Sequence, residues 1–216
     1  MPKIDEQKIN EILSRGVEDV IVREDLRKKL LSGEKIRLYF GVDPTGSVLH
    51  LGHAVVLRKL KDFIELGHEV ILLIGDFTAR IGDPTGRDAE RKPLTEKEVK
   101  ENFKDYKRQA SRILDFSKVK IKYNSKWLTK LNFADILRLS SNFTVQQMLV
   151  RDMFDRRLKQ NLPISLQEFM YPLMQGYDSV AMDVDLEIGG NDQMFNMLAG
   201  RELQKIYNSK DKAVMT

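Results

Sequence analysis

The sequence predicts an α/β fold built on a parallel sheet, and three observations carry that expectation. A strand-like run, IRLYFGV at 36–42, is followed by a helix-period segment at 50–66 and then by the unbroken apolar run VILLI at 70–74. An apolar run without alternation is what a parallel strand covered on both faces looks like. Strand, helix and strand in close succession make a βαβ unit with a right-handed crossover. At 216 residues the chain can bury one good core.

The elements follow in order. Residues 5–32 read as helical, and 36–42 as the first strand. From His50 to Leu66 apolar residues recur at Leu51, Ala54, Val55, Leu60, Phe63 and Ile64, a helical period closed by Gly67. Thr95 with Glu98, Thr144 with Gln147 and Ser165 with Glu168 are capping-box pairs. They mark a mostly helical insertion over about 88–165, with one strand expected at KVKIKYN. A helix over 166–181, a strand around VDLEI, the turn GGND and a helix to about 207 complete the reading.

Composition excludes several classes. The chain has no cysteine, which removes disulfides and thiolate metal sites and fits a reducing, cytoplasmic compartment. The N-terminus MPKIDEQKIN has no signal-peptide core, and no apolar run is long enough for a membrane span. Net charge is +4, from 36 basic and 32 acidic residues, too small and dispersed to demand nucleic acid by itself.

The residues with chemical potential gather at strand ends, where open parallel sheets bind ligands. His50 and His53 stand three apart at a helix start, so both rings can face one side. They fit weak metal ligation, a satisfied polar cap, or anion binding by helix-terminal N–H groups with Gly52 giving close backbone approach. DPTG occurs at Asp43–Gly46 and again at Asp83–Gly86, at one edge of the sheet if both strands are parallel. Arg87 and Arg91 follow the second turn at a spacing suited to phosphate. Tyr171, Gln175 and Asp178 form an i, i+4, i+7 stripe on a helix that contains Pro172. In GGNDQ, Gly190 permits close approach and Asp192 can accept from ribose hydroxyls or cap a helix.

Four ordered motifs, YFGVDPTGSVLHLGH, IGDPTGR, YPLMQGYDSV and LEIGGNDQ, together resemble the class I aminoacyl-tRNA synthetases, and most closely the bacterial tyrosyl type. HLGH is similar to that class's first signature, and the resemblance runs from about residue 30 to 210. It implies a Rossmann-like, HUP-type nucleotide-binding domain that forms tyrosyl-adenylate from L-tyrosine and ATP and passes the acyl group to tRNA(Tyr). ATP would bring Mg2+, with no metal held by the protein.

Residue roles follow from the same resemblance. His50 and Thr45 would act on the outgoing phosphates, His53 would lie near the ribose and α-phosphate, and Arg87 and Arg91 would meet pyrophosphate. Gly41, Asp43, Gly52, Gly190 and Asp192 would complete the ATP site. Tyr39 and Asp178 would hold the phenolic hydroxyl, Asp83, Tyr171 and Gln175 the ammonium group, and Gln193 the carboxylate side. A donor and an acceptor buried at the hydroxyl reject phenylalanine because they would be left unpaired.

Several features depart from the family. Phe40 and Val56 stand where members often carry small, polar or hydroxyl-bearing residues. The lysine-containing KMSKS signature and the anticodon-recognising region are absent from these 216 residues, so the chain reads as a catalytic-domain fragment that binds tyrosine but activates it poorly. The family resemblance also implies a homodimer through the insertion, with 130–165 as the candidate face. A tryptophanyl-tRNA synthetase, or a non-catalytic RNA-binding or regulatory derivative of a synthetase, are the competing readings.

Overall fold

The computed structural model describes residues 2, 4–46, 48–85 and 94–216. Among them a six-stranded sheet has the order β1-β6-β5-β2-β3-β4. The strands are β1 (Val20–Ile21), β2 (Arg37–Val42), β3 (Glu69–Ile74), β4 (Val119–Tyr123), β5 (Leu186–Ile188) and β6 (Ala213–Met215). All neighbours pair in parallel except β1, which runs antiparallel to β6. The α/β class and parallel sheet expected from the sequence are the ones observed.

Helix α3 (Leu51–Glu65) carries the chain from β2 to β3, with Leu57, Leu60 and Phe63 buried beneath it. Gly67 takes φ +92, a conformation glycine adopts without penalty, and turns the chain into β3. Every residue of β3 from Val70 to Ile74 is buried, which explains its lack of alternation.

Two expectations needed correction. Residues 5–32 are not one helix: α1 (Glu6–Ser14) and α2 (Arg23–Leu31) are separated by β1. Gly16 at φ +62 and Val22 at φ +56 break the helical path, and β1 finds its partner almost two hundred residues later in β6. The strand expected at KVKIKYN is observed as β4, but as the edge strand of the main sheet, parallel to β3 and reached through α4 (Glu96–Ala110). The segment from 125 to 165 holds α5 (Ser125–Leu128), α6 (Phe133–Ser140), α7 (Val145–Leu149) and α8 (Asp152–Lys159). Capping boxes start α4 and α7 where expected, and Asn132 with Asp135 starts α6 in the same way.

Helix α9 (Leu166–Met182) then crosses back, and β5 docks on the far side of β2 from β3. The strand order therefore reverses direction at β2, and a crevice opens at the carboxyl ends of β2 and β5. Helix α10 (Met194–Asn208) packs closely on α9, since a Cβ at Gly176 would come within 2.8 Å of Leu203 and 3.1 Å of the Gly200 nitrogen.

His68, in the α3–β3 turn, is buried, with Nδ1 unpartnered among the described residues. Burial pushes it down to about 4, Lys35 adding to the shift and Asp185 opposing it. The unfolded chain binds this proton near pH 6.5 and the folded chain only near pH 4, so the unfolded state holds more protons in that window. Stability should therefore fall as pH drops through it, by roughly 2 kcal/mol from this group. His68→Phe should remove that part of the slope, read as the difference in urea midpoints between parent and variant from pH 7.5 to 4.5.

Candidate functional site

A cavity of about 560 Å³ lies at the reversal point, walled by the ends of β2, β3 and β5 and by α9. Thr45, His50, His53, Tyr39, Asp83, Tyr171, Gln175, Asp178, Gln193, Gly41, Asp43, Gly190 and Asp192 all line it. Segments from across the chain thus converge on one cleft. Arg87 and Arg91 lie outside the described residues. Gly52 is not in the wall; a Cβ there would meet the His50 imidazole at 3.0 Å, so its smallness serves the packing of that ring.

At the helix end of the cavity the His50 and His53 rings are tilted against each other, centroids 4.0 Å apart. The His50 backbone N–H donates to His53 Nδ1 at 3.3 Å, which leaves Nε2 to carry the proton. Burial, helped by His50, lowers the His53 pKa, so this ring is neutral at pH 7 and can donate without bringing charge. The Tyr106 ring stands edge-on to His53 at 5.9 Å, and its buried hydroxyl has no hydrogen-bond partner among the described residues. Helix α4 braces the preceding loop, through Asn102 to the Pro44 carbonyl at 2.9 Å and Gln109 to the Leu49 N–H at 3.1 Å.

The two DPTG turns have different jobs. The Asp43 carboxylate accepts from Thr78 Oγ1 at 2.7 Å and from the Tyr171 hydroxyl at 2.8 Å. Gly75 is required there, since a Cβ would lie 1.9 Å from Asp43 Oδ1. Asp83 accepts from the Thr85 N–H and hydroxyl with one oxygen and from Gln193 with the other, at 2.8 Å. Arg151 donates to Thr85 Oγ1 at 2.9 Å while its guanidinium sits 4.7 Å from the Phe195 ring centroid. Burial lowers Arg151 to about 10, against the pull of Asp83, so it stays charged at neutral pH.

At the opposite end Asp178 is 2% exposed and takes Trp127 Nε1 at 2.7 Å and Asn124 Nδ2 at 3.3 Å. Burial pushes its carboxyl well above the ordinary range, while those two donors hold it down. Tyr39 is fully buried beside it, bonded at 3.0 Å to Ser179. Glu187 faces Tyr39 across the β2–β5 pairing and takes Gln175 Nε2 at 3.1 Å, Ser179 Oγ at 3.3 Å and the Lys212 ammonium. Phe40 also lines the cavity.

Sequence reasoning missed Thr78, Asn124, Trp127, Arg151, Ser179, Glu187 and Lys212. Ser179, Glu187 and Asn124 fall inside the quoted stretches YPLMQGYDSV, LEIGGNDQ and KVKIKYN without standing out there; the other four are single residues outside any motif. The cavity combines buried donors and acceptors around Tyr39 and Asp178 at one end with a helix N-terminus and a neutral imidazole at the other. It suits an aromatic, hydroxyl-bearing group joined to a phosphate-bearing one.

A family model described as class I tRNA synthetases (W and Y) matches residues 31–216. The chain is 53% identical over 204 residues to a tyrosine–tRNA ligase of Carboxydothermus hydrogenoformans, covering 93% of this chain and 50% of that protein. It is 51% identical over 205 residues to that of Thermotoga maritima, covering 95% and 51%. The chain spans about half the length of these relatives. Among solved structures, a C-terminally truncated mitochondrial tyrosyl-tRNA synthetase of Aspergillus nidulans is similar with TM-score 0.79 at 26% identity, over 94% of this chain and 62% of that one. A tyrosyl-tRNA synthetase of Archaeoglobus fulgidus complexed with L-tyrosine gives 0.77 at 25%, over 98% and 63%.

Proposed function

We propose, from the premise that the chain belongs to the class I tRNA synthetases of the tryptophan and tyrosine family, that its cleft holds L-tyrosine and ATP end to end as the catalytic part of a cytoplasmic tyrosine–tRNA ligase. The observation that carries this reading is the convergence of Asp178 and His53 on one cavity. Tyr39 and Asp178 meet the phenolic hydroxyl. Tyr171, Gln175 and Asp83 surround the ammonium group, and Gln193, bonded to Asp83 and Asp192, links the carboxylate side to the ribose. Gly41 and Gly190 leave room for the nucleotide backbone-side, and Asp43 acts indirectly by holding Tyr171.

In the reaction a tyrosine carboxylate oxygen bonds to the α-phosphorus as the bond to the β-phosphate oxygen breaks, and pyrophosphate leaves. A tRNA(Tyr) ribose hydroxyl then attacks the acyl carbonyl and AMP departs. The chain supplies positioning and charge stabilisation. His53 donates near the α-phosphate as a neutral group, while His50 and Thr45 face the departing phosphates, where Arg87 and Arg91 would also act. Mg2+ is proposed to travel on the ATP phosphates. No helix among the described residues is long and apolar enough to cross a membrane.

Calorimetric titration of the 216-residue chain with L-tyrosine, L-tryptophan and L-phenylalanine tests the reading. Saturable one-site binding of tyrosine alone is expected. Preferential tryptophan binding would favour the sister specificity, and no amino-acid binding would favour a non-catalytic derivative.

The dimer is also a proposal. Phe133 and Val150 are 76% and 74% exposed, and Leu137 and Val145 are exposed beside them, an unusual concentration of apolar surface within 130–165. A second copy burying this face would account for it. Phe133→Glu with Val150→Glu should convert a sedimenting dimer to monomer; unchanged sedimentation would exclude this face.

A further inference from the structure

Helix α4 lies outside the four ordered motifs, yet one of its faces is turned to the loop that joins β2 to α3. Asn102, Tyr106 and Gln109 stand at i, i+4 and i+7, a single stripe along the helix. Glu101, Lys104, Lys107 and Arg108 take the exposed side. An asparagine and a glutamine with no task would share that solvated side. Instead both are half-buried and bonded to the loop.

The loop has no regular structure between Asp43 and His50 among its described residues, so its backbone groups need partners from elsewhere. Asn102 Nδ2 donates to the Pro44 carbonyl at one end, at 2.9 Å, and Gln109 Oε1 accepts the Leu49 N–H at the other, at 3.1 Å. Gln109 cannot turn its amide over without loss, because its Nε2 donates to the Asp105 carbonyl at 3.2 Å. Between these two bonds the Tyr106 ring, 3% exposed and part of the cavity wall, backs the His53 imidazole. The stripe therefore fixes the chain at residues 44, 49 and 53, and Thr45 and His50 lie between those points.

We propose that Asn102 and Gln109 are positioning residues for the nucleotide half of the cleft: they hold the 44–50 loop, with the Tyr106 ring behind His53, where the ribose and α-phosphate are to be met. This rests on the functional reading above and extends it to a helix that none of the ordered motifs contains. Polar groups that stabilise charge do so best when already in place, and a small displacement of such groups costs more than the hydrogen bond that was lost. The tyrosine half, built on α9 and β2, does not depend on the stripe.

Calorimetry of the 216-residue chain with L-tyrosine and with a sulfamoyl analogue of tyrosyl-adenylate tests the proposal, because the second ligand adds only the nucleotide half. Asn102→Leu with Gln109→Met keeps side-chain size and helix propensity and deletes both bonds to the loop. Tyrosine affinity should stay within about two-fold of the parent, while the analogue should bind about ten-fold more weakly. A role confined to fold stability would lower Tm and leave the ratio of the two affinities at its parental value. That unchanged ratio, or a parallel loss of both ligands, would overturn the proposal. A parent chain that binds tyrosine but gains nothing from the nucleotide half also overturns it, with the amino-acid pocket left standing; a parent that binds neither ligand ends the functional reading itself. Should the double variant fail to melt cooperatively, Gln109→Met alone is judged by the same ratio, because Asn102 still ties Pro44.

Discussion

Asp178→Ala should lower tyrosine affinity by at least about a hundred-fold, roughly 3 kcal/mol, while the domain still melts cooperatively. On the proposed reading the carboxylate accepts from the substrate's phenol, and Trp127 and Asn124 hold it in place. Removing it deletes the ligand's hydrogen bond and leaves an indole N–H and an amide unpaired, each facing a pocket that the substrate must still enter. The fold loses less, because burial already makes the ionised carboxyl costly in the unliganded chain. Calorimetry paired with thermal melting separates the two effects. Tyrosine binding within two-fold of the parent would remove Asp178 from the phenol site.

The second large effect is on stability. Arg157 on α8 and Glu168 in the first turn of α9 form an ion pair with both side chains at most 5% exposed. Arg157 also donates to the Pro163 carbonyl, and Glu168 accepts from the Ser165 N–H at 2.8 Å as the partner in its capping box. Glu168→Gln removes the buried carboxylate that pairs with this guanidinium, a change that costs about 3–5 kcal/mol. For a chain of this size that is a fall of about 10 °C in Tm, measurable by calorimetric or fluorescence melting. Because α9 carries Tyr171, Gln175 and Asp178, tyrosine affinity should fall as well. A Tm within about 2 °C of the parent would show that the pair is dispensable.

What could be read from the sequence, and what could not, divides by the range of the interactions. VILLI and the β2–α3–β3 unit were legible because periodicity and burial act within a few tens of residues. The capping boxes at Thr95, Thr144 and Ser165 were legible because each is local. The break between α1 and α2 was not, since it depends on pairing with β6, and neither was the membership of β4 in the main sheet. The cavity residues could be named because ordered motifs carried them. Ser179, Glu187 and Lys212 could not, because their buried hydrogen-bonded group forms only once Tyr39 and Glu187 stand opposite each other on neighbouring strands. Asp43 was legible as a site residue, but its bond to Tyr171, which makes it a brace, required the fold.

The most direct measurement is a crystal structure of the chain with a non-hydrolysable sulfamoyl analogue of tyrosyl-adenylate. The phenol should lie within hydrogen-bonding distance of Tyr39 and Asp178, with the adenosine toward His53, Gly190 and Asp192. An analogue bound with its adenine against Asp178, or with its aromatic ring outside the cavity, would contradict the account.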